Sequence, residues 1–281
     1  MDDKLCVVQF LHPGGEHVPD GGPHMPWNTG PHRRKFLINP GEYVVGNDLS
    51  RTHHAELTFW GEWEPQSEVT PFGPPYSGAP QYLHRPYYVL PPPGQQVQNT
   101  DPFVFGDRFR YTYCLQKTVF GPTQLQRMAH GSVILFGSCI GKSRFALDTV
   151  FIVDQGADYQ PAHYKVALAG QVPSVYEDVT LSRIAEPPGV TLRLYTGATH
   201  AQQIHHMFSF FPCLPAHSVP GAFARPTITI PDVITPTLCQ GKKITVQSDV
   251  SSAADLWREI VSQVSAQGLD LGIHATLPQQ K

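Results

Sequence analysis

Between His12 and Lys35 one short stretch of chain gathers side chains able to bind ligands and move protons: His12, Glu16, His17, Trp27, Asn28, His32, Arg33, Arg34 and Lys35. Imidazoles and carboxylates exchange protons near neutral pH when their surroundings tune them. A guanidinium pairs bidentately with phosphate, and an indole face stacks on a base. Trp60, Glu62, Trp63 and Glu64 form a second group, in which rings flank carboxylates that can accept hydrogen bonds from a base edge. In a third, Asn99, Thr100 and Asp101 precede Pro102, a turn-forming run that also supplies an amide and a carboxylate. Asp148 interrupts an apolar run and therefore needs a partner, for which the sequence offers Arg108, Arg110 and Lys142.

Two assignments follow. In a binding protein, Trp27, Trp60 and Trp63 stack on a base, Asn99, Glu62 and Asp101 read its edges, Arg33, Arg34 and Lys35 hold phosphate, and Asn28 adds an amide donor to the loop. In an enzyme, His12, Glu16, His32, Glu62 and Asp101 supply the acid–base groups. Either way, the N-terminal loop and the Trp60–Glu64 segment are expected to converge on one cleft. The chain has 14 histidines, but Pro13, Gly14 and Gly15 break any helical ligand spacing around His12, Glu16 and His17. The pairs His53–His54 and His205–His206 point to opposite faces if they lie on strands. No metal and no cofactor is assigned. No G-x-S-x-G nucleophile motif occurs.

These groups have to be held by a β-rich frame. Lys4–Leu11 reads as a first strand, running into the Gly/Pro/His-rich loop. Lys35–Ile38 and Gly41–Val45 read as a strand pair, and Ala55–Trp63 as a further strand. Pro65–Gly94 reads as an ordered, irregular excursion whose tyrosines, Tyr76, Tyr82, Tyr87 and Tyr88, bury rings against the body. Ser132–Phe136 and Phe145–Val153 form a central hairpin, with Gly137 and Gly141 as turn positions. Ala253–Gln267 is a helix capped by Ser251 or Ser252 and stopped by Gly268. Its stripe of Leu256, Trp257, Ile260, Val261 and Val264 is expected to pack on the sheet that holds the hairpin.

Composition bounds the rest. Proline is abundant, with 28 residues, but aromatics make up 11% and the net charge is only −3, unlike a disordered chain. So weak a charge argues against broad, non-specific grip on duplex nucleic acid. No apolar run is long enough to cross a membrane as a helix, and the acidic N-terminus lacks signal-peptide features, so a cytoplasmic location is expected. The five cysteines are widely spaced and read as unpaired, buried residues. The expected class is α+β: a mainly antiparallel, partly closed sheet with long proline-rich loops and one clear helix near the C-terminus. Residues 1–281 read as a single domain with long insertions, the alternative being units of 1–170 and 171–281.

The stretch Leu125–Val153, a short helical turn followed by GSVILFGS, a loop and FALDTVFIV, resembles the centre of a PUA/EVE-like barrel. It is also similar to proteins grouped as nucleotide-modification-associated domains. The resemblance spans about thirty residues of the 281 and is a pattern of residue classes that a generic buried hairpin also fits. It implies a modified base, a nucleotide or nucleic acid as ligand, with a role in nucleic-acid modification or defence. An enzyme acting on such a ligand, or an interaction module that docks a protein through Pro65–Pro93, are the alternatives.

Overall fold

The computed structural model describes residues 3–72, 79–216 and 222–281. In chain order the longer strands are β1 (Cys6–Leu11), β2 (Lys35–Val45), β3 (Asp48–Gly61), β4 (Ser67–Pro71), β5 (Tyr82–Tyr88), β6 (Val133–Ile140), β7 (Arg144–Tyr159), β8 (Leu192–Gly197), β9 (Phe211–Pro215), β10 (Gly241–Val246) and β11 (Asp270–Ala275). One sheet runs β10-β1-β6-β7-β8, with Arg110–Tyr111 paired beyond β8. The other runs β11-β9-β3-β2-β5-β4, and β11 also pairs with β2. Strands β2, β3, β9 and β11 therefore close a ring. The molecule is α+β and mostly strand, with sheets that are mixed because β1 runs parallel to β6 and β2 parallel to β5. Among the described residues no helix is long and apolar enough to cross a membrane.

β1 shows how the layers arise. All six of its residues are buried, and their alternation feeds two interiors. Cys6, Val8 and Phe10 enter one core with Phe136, Phe151, Phe59 and Phe211, where the sheets face each other. Val7 and Leu11 enter the other with Leu135, Leu147 and the helix Val250–Ala266. On that helix Trp257, Ile260, Val261 and Val264 are buried, and the Trp257 Nε1 donates to the Phe208 carbonyl at 3.0 Å. The N-cap is Asp249 rather than Ser251 or Ser252: its carboxylate accepts from the Ser252 amide at 2.9 Å, so the helix starts at Val250. Gly268, at φ +77°, follows the last turn, a conformation glycine adopts without a Cβ penalty.

Several local expectations give way to tertiary pairing. Lys35–Val45 is one strand, which Pro40 and Gly41 do not interrupt. The supposed excursion Pro65–Gly94 contains β4 and β5, paired antiparallel from Ser67↔Pro86 to Pro71↔Tyr82. Tyr88 is buried there and its hydroxyl donates to Asp178 at 3.1 Å, whereas Tyr76 lies outside the described residues. Gly141 is a turn glycine at φ +59°, but Gly137 lies inside β6. A Cβ on Gly137 would stand 2.2 Å from the Ala146 carbonyl oxygen, so glycine there serves a close backbone approach beside a register shift. Cys139 and Cys239 are joined as a disulfide, contrary to the expectation of unpaired cysteines. They lie 100 residues apart in sequence but meet because β6 and β10 flank the same strand.

Candidate functional site

The site forms where β1, β2 and β3 run out. Past Leu11 the His12 amide still donates to the Gly137 carbonyl at 2.8 Å, so the ladder fixes the imidazole at the strand end. The loop returns alongside: the His17 amide donates to Arg34 O at 2.8 Å and the Arg34 amide to Gly15 O at 3.0 Å, which sets His32, Arg34 and Lys35 at the mouth of β2. β3 ends at Gly61, and Glu62, Trp63 and Glu64 continue past it. The Asn28 amide donates to Glu64 O at 2.8 Å, and the Glu64 amide to Thr100 Oγ1 at 3.0 Å. All three groups picked out in the sequence thus meet.

At their centre is a buried charge cluster. Arg34 Nη1 lies 2.6 Å from Glu62 Oε2, and its Nε 3.2 Å from Asp148 Oδ2. Arg225 approaches the other Asp148 oxygen at 3.8 Å. His12 Nδ1 is 3.2 Å from Glu62 Oε2. His32 Nδ1 is 3.2 Å from Glu62 Oε1 and 3.1 Å from Glu64 Oε1. Asn28 Nδ2 donates to Glu64 Oε2 at 2.5 Å. Arg34, Glu62, Glu64 and Asp148 are essentially sealed from solvent, while the His32 side chain is 25% exposed.

Burial and neighbouring charge oppose each other throughout. Burial would raise the Glu62 carboxyl, but the Arg34 guanidinium and the hydrogen bond and charge of His32 outweigh it and hold it well below the usual carboxylate range. Burial, aided by Arg34, pushes His12 down to about 3, so its imidazole is neutral. Burial would lower His32 as well, yet its hydrogen bonds and charge interactions with Glu62 and Glu64 bring it up to about 10. Burial lowers Lys35 to about 8 against the pull of Glu64 and Glu62. Burial raises Asp148 despite Arg225 and Arg34.

Not every candidate reaches this centre. Trp27, Trp60 and Trp63 are buried, and their indole N–H groups donate to the carbonyls of Gln98, Phe223 and Gln66 at 2.9, 2.8 and 2.8 Å. Their faces are core surfaces: Trp63 packs on Phe105, and Trp60 on Phe36 with Arg225 over its ring. None is a free stacking platform. The row of cations is likewise split, because Lys35 begins a buried strand. Arg33 is exposed, Arg34 is committed to carboxylates, and the Lys35 ammonium donates to the carbonyls of Trp63 and Pro65. Glu16 accepts from the Gln81 and Tyr82 amides at 2.7 and 3.0 Å and so ties the loop to the start of β5.

Asp101 is a bracket. Its carboxylate accepts from the amides of Thr112, Tyr113 and Cys114 at 3.0, 2.8 and 2.9 Å, and its own amide faces Glu62 Oε1 at 3.4 Å. Burial raises it to about 6 in spite of those three donors. Asn99 is buried at its side, with no partner for its Nδ2 among the described residues. The segment that Asp101 holds forms one wall of a cleft of about 510 Å³, lined by Phe10, His12, Tyr113, Cys114, Leu115 and Glu186, among others. Neither ring nitrogen of His12 has a hydrogen-bond partner among the described residues.

The sequence grouped Glu64 with the ring-flanked carboxylates without singling it out, and it gave Asp148 the wrong cations. Its partners are Arg34 and Arg225, whereas Arg110 pairs with Asp107 at 2.8 Å and Arg108 with Asp154 at 3.5 Å. Nothing local marks Arg225, since its meeting with Asp148 is made by the sheet. Comparison with known protein families, with curated proteins and with solved structures gives no match.

Proposed function

We propose that the protein is an enzyme that holds a small molecule in the cleft lined by His12 and uses the His12–Glu62 pair to move a proton on it. The observation that carries this reading is His12: an imidazole in the cleft wall with a carboxylate 3.2 Å from Nδ1, and with both nitrogens buried and without a hydrogen-bond partner among the described residues. A proton on Nδ1, directed at that carboxylate, would leave Nε2 with a lone pair, the arrangement of a general base held by an orienting acid. Burying so many charges costs several kcal/mol per ion before pairing, a departure from an apolar core that a binding or catalytic role explains. The walls contributed by Phe10, Leu115 and Tyr113 suit an apolar or aromatic body. The likeness of the central hairpin to PUA/EVE-like barrels bears on substrate class alone, and makes nucleosides and modified bases the first compounds to try.

The test is turnover of a panel of nucleosides, modified nucleobases, aryl esters and aryl amides, followed by mass spectrometry. At least one member should be converted by the wild type, His12→Ala should reduce that rate at least 100-fold, and Arg33→Ala should leave it unchanged. A silent panel, or an unaltered rate in His12→Ala, would count against the reading.

A further inference from the structure

The two carboxylates on either side of Trp63 are arranged as ligands. Glu62 Oε1 and Glu64 Oε1 both face His32 Nδ1, at 3.2 and 3.1 Å, and the three atoms lie within 4.8 Å of one another. Those two separations lie just under the edge of a tetrahedral ligand set with bonds of about 2.0–2.1 Å, roughly 3.3–3.4 Å, and the two oxygens would draw together to share an ion. The outer oxygens are already engaged: Arg34 holds Glu62 Oε2 and Asn28 holds Glu64 Oε2. Partners of that kind orient ligands in metal sites by fixing which oxygen points inward.

A proton on His32 Nδ1 could make a good hydrogen bond to one of the two inner oxygens, which would leave the other facing it across a buried carboxylate–carboxylate contact. A dication would satisfy both. A separate sign that the network lacks a group comes from His12. It is only 8% exposed, its Nδ1 faces Glu62, and neither ring nitrogen is hydrogen-bonded among the described residues. The His32 side chain, 25% exposed, is the member of the three that reaches solvent.

We propose that His32 Nδ1, Glu62 Oε1 and Glu64 Oε1 bind one divalent transition-metal ion, with the remaining coordination positions open to water. One imidazole and two carboxylates are a nitrogen–oxygen set suited to Zn²⁺ or Mn²⁺. The sequence had given no reason to assign a metal, because the ligands come from two strand ends and share no spacing motif. The site shares Glu62 with the pair of the cleft reading, through the other carboxylate oxygen, but His12 is not a ligand and the test requires no substrate.

The experiment is calorimetric titration of the chelator-treated, full-length protein with ZnCl₂ and, separately, MnCl₂. One equivalent of at least one ion should bind with micromolar or tighter affinity. His32→Ala and Glu64→Gln should each weaken binding at least 100-fold; Glu64→Gln retains an oxygen for Asn28, so its metal-free melting temperature should stay near that of the wild type. X-ray absorption of the metal-loaded wild type guards against variants that fail to fold. It should show nitrogen and oxygen neighbours including a single imidazole. No binding, undiminished binding in a folded His32→Ala, sulfur in the first shell or two or more imidazoles would overturn the site. Such a failure would leave the His12 turnover test untouched, and silence in that test would leave this one intact.

Discussion

The helix-facing side of β1 and the end of the strand are buried in opposite ways. On the helix side, Val7 and Leu11 meet Leu135, Leu147, Trp257 and Ile260, and the indole N–H of Trp257 has its acceptor. At the strand's end, one residue past Leu11, the interior changes to Glu62, Arg34, Asp148 and two imidazoles. Burial in the first region stabilises at roughly 25 cal/mol per Å² of apolar surface. In the second, desolvation nearly cancels the attraction, so the cluster adds little net stability while making each member depend on the others. The contrast shows which part of the molecule holds the fold and which part the fold is holding.

The contrast breaks most easily at Ile260. Ile260→Asp would bury an unpaired carboxylate against the sheet and should destabilise by on the order of 5 kcal/mol, read as loss of the cooperative thermal transition. An unchanged melting temperature would mean that the helix does not cover that core. In the polar region Arg34→Met should cost about 3 kcal/mol in denaturant unfolding, because Glu62 and Asp148 lose their shared cation while remaining buried. If that variant proves as stable as the wild type, the cluster is solvated and the comparison fails.

A smaller effect lies in the pH dependence at His84, which is buried in β5 and bonded to Ser67 Oγ at 2.9 Å. Burial, then the charge of Lys35, lowers it to about 3. The unfolded chain therefore binds a proton near pH 6.5 that the folded one refuses until about pH 3, so stability rises with pH across that window and is lost on acidification. His84→Gln should flatten the slope of unfolding free energy between pH 6 and pH 4 by about 1.4 kcal/mol per pH unit. Parallel slopes for the two proteins would show that His84 is protonated in the folded state.

The same division separates what the sequence disclosed from what it hid. The helix and central hairpin were legible because apolar side chains repeat with the period of the element that buries them, as Trp257, Ile260 and Val264 do. β4 and β5 were not, because Pro71 and Pro86 belong to strands whose pairing is fixed by neighbours outside their own segment. The meeting of the loop with Glu62 was legible from residue type, but the direction of each side chain was not. Strand alternation stops at Gly61, so the expected faces of Trp60, Glu62 and Trp63 no longer followed from their numbers. Arg225, about two hundred residues after His12, has no local pattern that announces it.

The neighbours of β1 also set a schedule for biosynthesis. The strand emerges from the ribosome first among those of its sheet, yet one partner begins at Val133 and the other at Gly241. At translation rates of roughly 5–20 residues per second, its edges wait several seconds for the first and on the order of ten or more for the second. Meanwhile an apolar CVVQFL segment has backbone donors and acceptors open to any passing strand. The charged centre also waits, for Arg34 and Glu62 are made long before Asp148 and Arg225 can reach them. A nascent chain stopped short of Gly241 would carry a half-paired β1, which makes the stretch from Gly241 onward the part that protects the first strand.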